Sequence, residues 1–310
     1  MKLDPAETTL DLPDESVLRP LKKDHLYLAL FLSLTLWASS FPGIKASLEG
    51  YSPYELAALR FLIASLTLAC VALWCKIRWP RKRDIPLILA LALIGVPCYH
   101  IIFNYGQLRA TAGAAAFIIN IAPVFTGAMA WLFLGERITG RAWIGVAICL
   151  FGVWLIARAQ GATFAAGTNT LILLVAAVCW SLYSILQKPL LTFYEPLEVI
   201  CYAVWIGTLF LSPFLPQALS ALPKATSSAT LSAIYIGLST AVAHVSWSYV
   251  LARMPASRAS VYGFLVPLLS MGIAFVWIHE TPNLFLLIGG TVVLCGVTVA
   301  TRPMDRGESP

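Results

Sequence analysis

Residues 109–158 read RATAGAAAFIINIAPVFTGAMAWLFLGERITGRAWIGVAICLFGVWLIAR, and the chain carries a second version of this stretch at residues 253–302. A shift of 144 positions, without a gap, makes twelve positions identical. Chance matching of two apolar segments does not readily align a proline, a glutamate and two glycines in one register, so the stretch is an internal duplication. The identical pairs are Arg109/Arg253, Ala112/Ala256, Ala115/Ala259, Pro123/Pro267, Ala130/Ala274, Glu136/Glu280, Ile144/Ile288, Gly145/Gly289, Leu150/Leu294, Gly152/Gly296, Val153/Val297 and Arg158/Arg302.

The duplication extends upstream of this stretch. His100/His244 and Tyr105/Tyr249 keep the same offset, and an offset of 143 matches Trp37/Trp180, Lys45/Lys188, Pro53/Pro196 and Glu55/Glu198. We therefore expect two repeats, at 26–158 and 169–302. The polar segment 1–24 is predicted to be a disordered cytoplasmic tail, and 303–310 a cytoplasmic C-terminal tail.

The composition indicates that the solvent of this chain is lipid. Charged residues make up 12% of the 310 residues and the mean hydropathy is +0.81, which exceeds what a soluble core needs. The seven cysteines show no metal-ligand spacing, so we expect reduced packing residues, no metal and no other cofactor. The net charge of +6 is attributed to cytoplasmic loops at an anionic membrane face, and no nucleic-acid partner is expected.

Ten apolar segments have about the length needed to cross a bilayer. Lysine and arginine favour the cytoplasmic side of a membrane. With the N-terminus in the cytoplasm, the inner segments collect sixteen such residues and the outer segments four, so both termini are predicted to be cytoplasmic. The predicted spans are 26–47, 54–75, 85–106, 111–134, 140–158, 169–188, 196–215, 229–251, 256–278 and 283–301.

Five spans in each repeat is an odd number, so the second repeat must enter the membrane inverted relative to the first. The sequence thus predicts an all-α integral membrane protein with ten transmembrane helices, arranged as two inverted five-helix repeats. Inverted repeats related by an axis in the membrane plane are typical of secondary transporters, whose substrate site lies near the midplane.

Several of these residues resemble the drug/metabolite transporter superfamily, specifically the EamA-type ten-helix exporters. The resemblance covers about residues 26–302. It is carried by Trp37 with Lys45, by Arg60 after Pro53, and by Pro123, the segment WLFLGE at 131–136, and the Gly145/Gly152 pair. The second repeat departs from the pattern at Ala203, opposite Arg60, and at His279, opposite Gly135. The resemblance implies export of small metabolites, amino acids among them, across a bacterial inner membrane. It also implies that the first, third, fourth, sixth, eighth and ninth predicted spans surround the path.

Depth along the spans singles out polar and aromatic candidates for the substrate site. Trp37, Asn120 and Trp180 come out near the midplane at ~1.5 Å per residue. Trp37 and Trp180 either face each other across the axis as cavity walls or are packing aromatics. His100 and His244 either relay protons or form hydrogen bonds between helices as neutral residues. The remaining candidates are Ser40, Asn104, Tyr183, Gln187, Trp247 and Tyr262, with Ser39, Tyr105 and Ser248 nearby.

Charged residues and prolines complete the predicted site. Lys45, Arg60 and Lys188 are the predicted electrostatic residues, with Arg60 near the outer end of its span. Lys45 and Lys188 lie at opposite faces, where each either meets a substrate carboxylate or, as a lysine at a helix end, extends to lipid headgroups. No carboxylate falls at the midplane, which ranks cationic drugs below neutral or zwitterionic solutes. Glu136 is expected to be a structural pair or cap, and Pro189 is expected to end the span 169–188. The hinge candidates are Pro42, Pro97, Pro123 and Pro267, each of which removes one backbone hydrogen bond.

Three other readings compete with a carrier. An intramembrane enzyme would need a paired catalytic set or metal-ligand spacing, and none is found. A channel would favour polar rings without an inverted repeat. An exchanger of phosphorylated sugars or nucleotide-sugars would need several converging cations. We therefore expect no catalytic residues and predict a carrier that exports amino acids or related solutes by alternating access. Proton coupling and the oligomeric state are left open.

Overall fold

The computed structural model describes residues 23–109, 118–159, 168–269 and 284–301, together with Ala115 and Ile273. Every regular element in these ranges is helical. In chain order the α-helices are α1 (Lys23–Ser47), α2 (Pro53–Trp74), α3 (Ile85–Leu93), α4 (Tyr99–Arg109), α5 (Ala122–Leu134), α6 (Gly140–Ala159), α7 (Thr168–Leu190), α8 (Pro196–Leu211), α9 (Leu215–Ala221), α10 (Ser227–Arg253), α11 (Ala256–Val261) and α12 (Leu284–Thr301).

Six helical stretches in the described ranges are long and apolar enough to cross a membrane. Shorter apolar helices, Ala122–Leu134, Gly140–Ile156, Ala256–Leu269 and Leu287–Thr301, occupy the positions of the other predicted spans. The all-helical membrane architecture is thereby confirmed. The count of ten crossings stays a prediction, because parts of spans 111–134 and 256–278 lie outside the described residues. Tail residues 1–22 and 303–310 also lie outside them, whereas residues 23 and 24 of the predicted N-terminal tail belong to α1.

Matching local signals begin equivalent helices in the two repeats. Pro53 starts α2 and Pro196 starts α8, and the backbone N–H before each proline donates to a glutamate three residues on. These bonds are Ser52 N to Glu55 Oε2 at 2.8 Å and Glu195 N to Glu198 Oε2 at 2.9 Å. A proline in the first turn and a reaching carboxylate both favour helix initiation. The duplicated Pro-x-Glu pattern therefore sets the same helix start twice.

Helices α6 and α12 pack against each other in opposite directions. A β-carbon at Gly152 would lie 2.8 Å from the carbonyl oxygen of Gly289, and one at Gly296 would lie 2.9 Å from that of Gly145. Numbers rise along one helix as they fall along the other, so the pair is antiparallel. The 144-residue offset converts the first contact into the second, which is the signature of an approximate two-fold axis crossing the helices. The repeats are inverted, as predicted.

Residues at equivalent positions in the two repeats, which we call image residues, meet one another along this axis. A residue can touch its own image only where the two-fold axis passes. Four helix pairs show such contacts: ring centroids of Trp37 and Trp180 at 4.9 Å, ring centroids of His100 and His244 at 5.9 Å, Ser65 Oγ and Thr208 Oγ1 at 2.7 Å, and Cys149 Sγ and the Val293 carbonyl oxygen at 3.7 Å.

Three of the four candidate hinge prolines adjoin irregular backbone. Pro97 lies in a π-helical turn, Ile94–Cys98, between α3 and α4. Pro123 lies in the first turn of α5, directly after a turn at residues 120–121, and Pro267 follows the 3-10 segment Tyr262–Leu265. Pro42 differs, because α1 continues through it to Ser47. A missing N–H weakens a helix at Pro42 and Pro97, which lie inside helices, whereas a proline in a first turn, such as Pro123, removes no intrahelical bond. The hinge role itself stays a prediction.

Pro189 does not end its helix, so that expectation was wrong. Helix α7 continues to Leu190, and the Leu191 N–H donates to the Gln187 carbonyl oxygen at 2.9 Å. A proline removes only its own N–H donor, and near a C-terminus the following residues can still bond backwards.

Candidate functional site

A cavity lies on the pseudo-two-fold axis between two apolar clusters. It holds about 790 Å³ of empty volume, including the open space at its mouth. One flanking cluster contains Leu30 and Leu34 of the N-terminal half of α1, and the other contains Ile44 of its C-terminal half. The cavity is lined by Trp37, Ser40, Phe41, Ile44, Arg60, Tyr99, His100, Phe103, Ile119, Asn120, Ala122, Pro123, Thr126, Trp180, His244, Trp247, Ser260, Gly263 and Val266.

Three indoles form one wall of this cavity. The Trp37 ring centroid lies 4.9 Å from that of Trp180, at nearly a right angle, and 5.0 Å from that of Trp247. Tyr99 extends the wall, with its ring centroid 5.2 Å from that of Trp180. Edge-to-face and tilted aromatic contacts at these distances are stabilising and hold the rings in fixed orientations. The wall offers apolar faces that suit the side chain of an apolar or aromatic solute.

Two imidazoles sit on the axis beside the indoles. His244 Nδ1 donates to the Thr240 carbonyl oxygen at 2.9 Å, so the neutral ring leaves Nε2 as an acceptor. His100 Nδ1 lies 3.4 Å from Arg60 NH1, and arginine can only donate, so the neutral His100 ring carries its proton on Nε2. Within the described chain, neither Nε2 atom has a hydrogen-bond partner. The pair therefore presents one donor and one acceptor.

Arg60 brings a buried positive charge to the cavity. Its residue is 3% exposed, and its Nε donates to Thr240 Oγ1 at 2.6 Å. The Thr240 hydroxyl itself donates to the Ile236 carbonyl oxygen, which turns its lone pairs toward Arg60. Packing against Thr240 and His100 holds the guanidinium beside the axis.

Half of the sequence-predicted site residues line the cavity. They are Trp37, Ser40, Arg60, His100, Asn120, Pro123, Trp180, His244 and Trp247. The other half lie outside its lining, namely Asn104, Tyr183, Gln187, Tyr262, Pro42, Pro97, Pro267, Lys45 and Lys188. Tyr183 packs behind the wall, with its ring centroid 5.4 Å from that of Trp180.

The excluded polar residues have structural partners of their own. Asn104 Nδ2 donates to the Pro53 carbonyl oxygen at 2.9 Å, and Gln187 Nε2 donates to that of Tyr183 at 3.4 Å. Lys188 Nζ donates to the carbonyl oxygens of Leu251 and Met254 at 2.8 and 3.0 Å. A lysine at these carbonyls caps the C-terminus of α10.

Sequence reasoning missed several lining residues, chiefly Tyr99, Phe103 and Ser260. Tyr99 and Phe103 are four residues apart and so share one helix face, and their rings stack with centroids 5.7 Å apart. That spacing was a usable signal, but apolar rings at helical spacing do not distinguish a cavity face from a packed one.

Glu136 lies away from the cavity and caps a helix, as expected. Its Oε1 accepts from the Ala256 N–H at 2.8 Å, and its Oε2 accepts from the Ser257 N–H at 3.0 Å and from the Ser257 hydroxyl. These donors are the otherwise unpaired N–H groups at the start of α11. Glu136 and Lys188 thus hold the two sides of the short α10–α11 turn. Glu280 lies outside the described residues.

An ionic network ties the α2–α3 loop to the start of α8. Arg78 donates from Nε to Glu198 Oε1 at 2.9 Å and from NH2 to Glu198 Oε2 at 2.7 Å, and the Tyr202 hydroxyl donates to the Arg78 carbonyl oxygen. The hydrogen bond to Glu198 raises the pKa of Arg78 above its ordinary value. At the offset of 143 the image of Arg78 is Ala221, and Glu55, the image of Glu198, forms no ion pair within the described residues.

A model of the EamA-like transporter family matches residues 26–158 and 168–302. A Streptantibioticus cattleyicolor protein named "Probable terminal-alkyne amino-acid exporter" is 39% identical over 88% of this chain and 92% of its own length. The "Uncharacterized transporter YdfC" of Bacillus subtilis is 37% identical over 86% and 87%. A crystal structure aligns with a TM-score of 0.72 over 90% of this chain and 97% of its own; at 19% identity this likeness shows the fold.

Proposed function

From the premise that this chain belongs to the EamA-like transporter family, we propose that it exports amino acids or closely related zwitterionic solutes by alternating access about the axial cavity. The family and the named relatives have transport in common, and the Streptantibioticus relative is named an exporter. The amino-acid class is our proposal, supported by the chemistry of the cavity and by the name of the Streptantibioticus relative.

The observation that carries the proposal is the position of the cavity on the pseudo-two-fold axis. A site on this axis is bounded by image residues from both repeats, such as Trp37 and Trp180. When inverted repeats rock against each other, such a site can be exposed to either side in turn while its walls stay the same. A solute bound there is therefore carried without an open pore.

The composition of the walls supports a zwitterion over the phosphorylated alternative. Three indoles and Tyr99 supply apolar area, and Arg60 is the one guanidinium among the described lining residues. Lys45 is exposed outside the lining, and Lys188 is bound to two carbonyl oxygens. A phosphate ester would need several converging cations. The distribution of lysine and arginine supports a bacterial inner-membrane location with cytoplasmic termini.

Counterflow in proteoliposomes tests the function directly. A toxicity-rescue screen with amino acids and analogues in overproducing cells selects the solute, and its labelled form is then measured with unlabelled solute on the opposite side. A carrier shows accelerated uptake when the opposite side is loaded. Flux without acceleration would indicate a channel, and no flux for any amino acid would contradict the proposal.

Matched tryptophan variants locate the transport path. We expect Trp37→Ala and Trp180→Ala to lower counterflow at least tenfold, because each removes cavity wall. Trp74→Ala is the control, since Trp74 is 92% exposed at the end of α2. Normal counterflow in correctly inserted Trp37→Ala and Trp180→Ala protein would show that the cavity is not the path.

A further inference from the structure

Arg60 is a buried cation for which the described part of the chain supplies no counter-ion. The ion pairs found there are Arg78–Glu198 and Arg83–Asp84, both at the α2–α3 loop. The two hydrogen-bond partners of Arg60, Thr240 Oγ1 and His100 Nδ1, are neutral. A guanidinium has five N–H donors in a planar fork that matches a carboxylate. Burying such a group without an anion is costly, so the protein keeps it at a free-energy penalty.

Arg60 also breaks the symmetry of the cavity. Its image is Ala203, which is fully buried and carries no charge. The axis therefore has a guanidinium on one side and a methyl group on the other. Because Arg60 itself lines the cavity, the missing anion can arrive with the substrate.

We propose that Arg60 binds the carboxylate of the exported solute and restricts the substrates to compounds with one free carboxylate. The part of this inference that concerns transport rests on the proposed function. With the carboxylate at Arg60, an ammonium group suits His244, which lines the same cavity and whose buried Nε2 acceptor has no partner in the described chain. His244 also lies next to the indole wall, with its ring centroid 6.4 Å from Trp37 and 6.1 Å from Trp180. An α-amino acid fits this order: carboxylate, ammonium, apolar side chain.

A single guanidinium explains why only one carboxylate is accommodated. A dicarboxylate or phosphate would leave a negative charge among the indoles and the neutral imidazoles, where no second cation lines the described cavity. An amine, amide or ester would leave Arg60 without its anion. We therefore expect dicarboxylates and phosphates to be rejected because they bring a second negative charge. Amines, amides and esters are rejected because they bring no negative charge to Arg60.

The binding test compares ligands that differ only at the carboxylate. Purified protein is heated with each of the twenty amino acids and with the corresponding amides, and the unfolding midpoint is recorded. In the native protein at least one free acid raises the midpoint more than its amide does. Arg60→Gln removes that difference and lowers the apparent affinity for the acid by about 10- to 100-fold, the range for hydrogen bonds between charged groups.

Two further variants control for charge and for folding. Arg60→Lys keeps the charge but loses the planar fork, so it retains an intermediate preference for the acid. Lys76→Gln removes one exposed loop charge and behaves as the native protein does. Because Arg60→Gln also removes an unpaired buried charge, its midpoint without ligand does not fall below that of the native protein, and it remains testable.

The outcomes separate this inference from the proposed function. An acid-over-amide preference that depends on Arg60, without counterflow, supports the carboxylate site and contradicts amino-acid transport. Counterflow that is equal for acids and amides, or unchanged in Arg60→Gln, supports transport and overturns the role of Arg60. Failure of every amino acid to raise the midpoint of the native protein also overturns it.

Discussion

Replacing Gly152 by valine should force apart the two helices that cross at the axis. A β-carbon there would meet the Gly289 carbonyl oxygen, the Val293 amide nitrogen and a Val293 methyl, each at 2.8 Å. Ordinary contact begins near 3.4 Å, so α6 and α12 must separate by about 0.6 Å (3.4 minus 2.8) before the methyl groups of valine are counted. Overpacking of this kind costs about 1–3 kcal/mol.

The assay is thermal unfolding of the purified protein, with Gly140→Val as the matched control. A β-carbon at Gly140 would meet nothing within 4 Å, although the residue starts the same helix. At about 2–4 °C per kcal/mol, Gly152→Val should lower the midpoint by about 2–12 °C. A midpoint within about 1 °C of the control would refute the close contact.

A double variant tests whether the two glycines face each other. A β-carbon at Gly289 would lie 2.9 Å from the Gly152 carbonyl oxygen and 2.8 Å from Ile156 Cγ1. The first valine already separates the helices, so the second meets a wider gap. Gly152→Val with Gly289→Val should therefore cost less than the sum of the single changes, with a coupling of about 0.5–3 kcal/mol. Strict additivity would contradict direct contact.

Three further changes probe the rest of the structure. Arg78→Ala should lower the unfolding midpoint by a few degrees because Glu198, which is 3% exposed, keeps only backbone partners; an unchanged midpoint would show that the pair contributes nothing. Glu136→Ala removes the acceptor for the first N–H groups of α11 and should cost about 1–2 kcal/mol in unfolding experiments, with Glu136→Gln losing less. His100 and His244 form the hydrogen bonds of neutral imidazoles, so His100→Gln combined with His244→Gln should lower efflux driven by a pH gradient no more than it lowers counterflow; loss of that efflux with counterflow intact would instead support a proton role.

The architecture was predictable because the duplication records it. Image pairs such as Gly145/Gly289 and Gly152/Gly296 fixed the register of the repeats, and an odd number of spans in each required the inversion. The depth of a residue in the membrane was also predictable, because the rise of a helix converts residue number into distance. Trp37 and Trp180 were accordingly placed at the axis, where their rings meet.

The sequence could not predict which face of each helix points toward the cavity. Asn104 and His100 are one turn apart on α4, yet His100 lines the cavity while Asn104 bonds the Pro53 carbonyl oxygen on a neighbouring helix. Helix tilt and the identity of the neighbour decide this. The apolar pattern of a membrane helix carries little information on either, because lipid and protein neighbours are equally apolar. Lys188 shows the same limit, because its carbonyl partners lie 63 and 66 residues away in the chain.

The ionic network at Arg78 bears on the lifetimes of the two conformations in the proposed transport cycle. If the repeats rocked against each other, each contact would be exchanged for the contact between the image residues. The images of Arg78 and Glu198 are Ala221 and Glu55, and this pair contains no cation. One end thus has an ion pair, while at the other the Tyr51 and Thr230 hydroxyls meet at 2.7 Å. In the proposed alternating-access cycle, unequal contacts at the two ends would give the two conformations unequal dwell times. The gradient against which solute accumulates would not change, because only the driving force determines it.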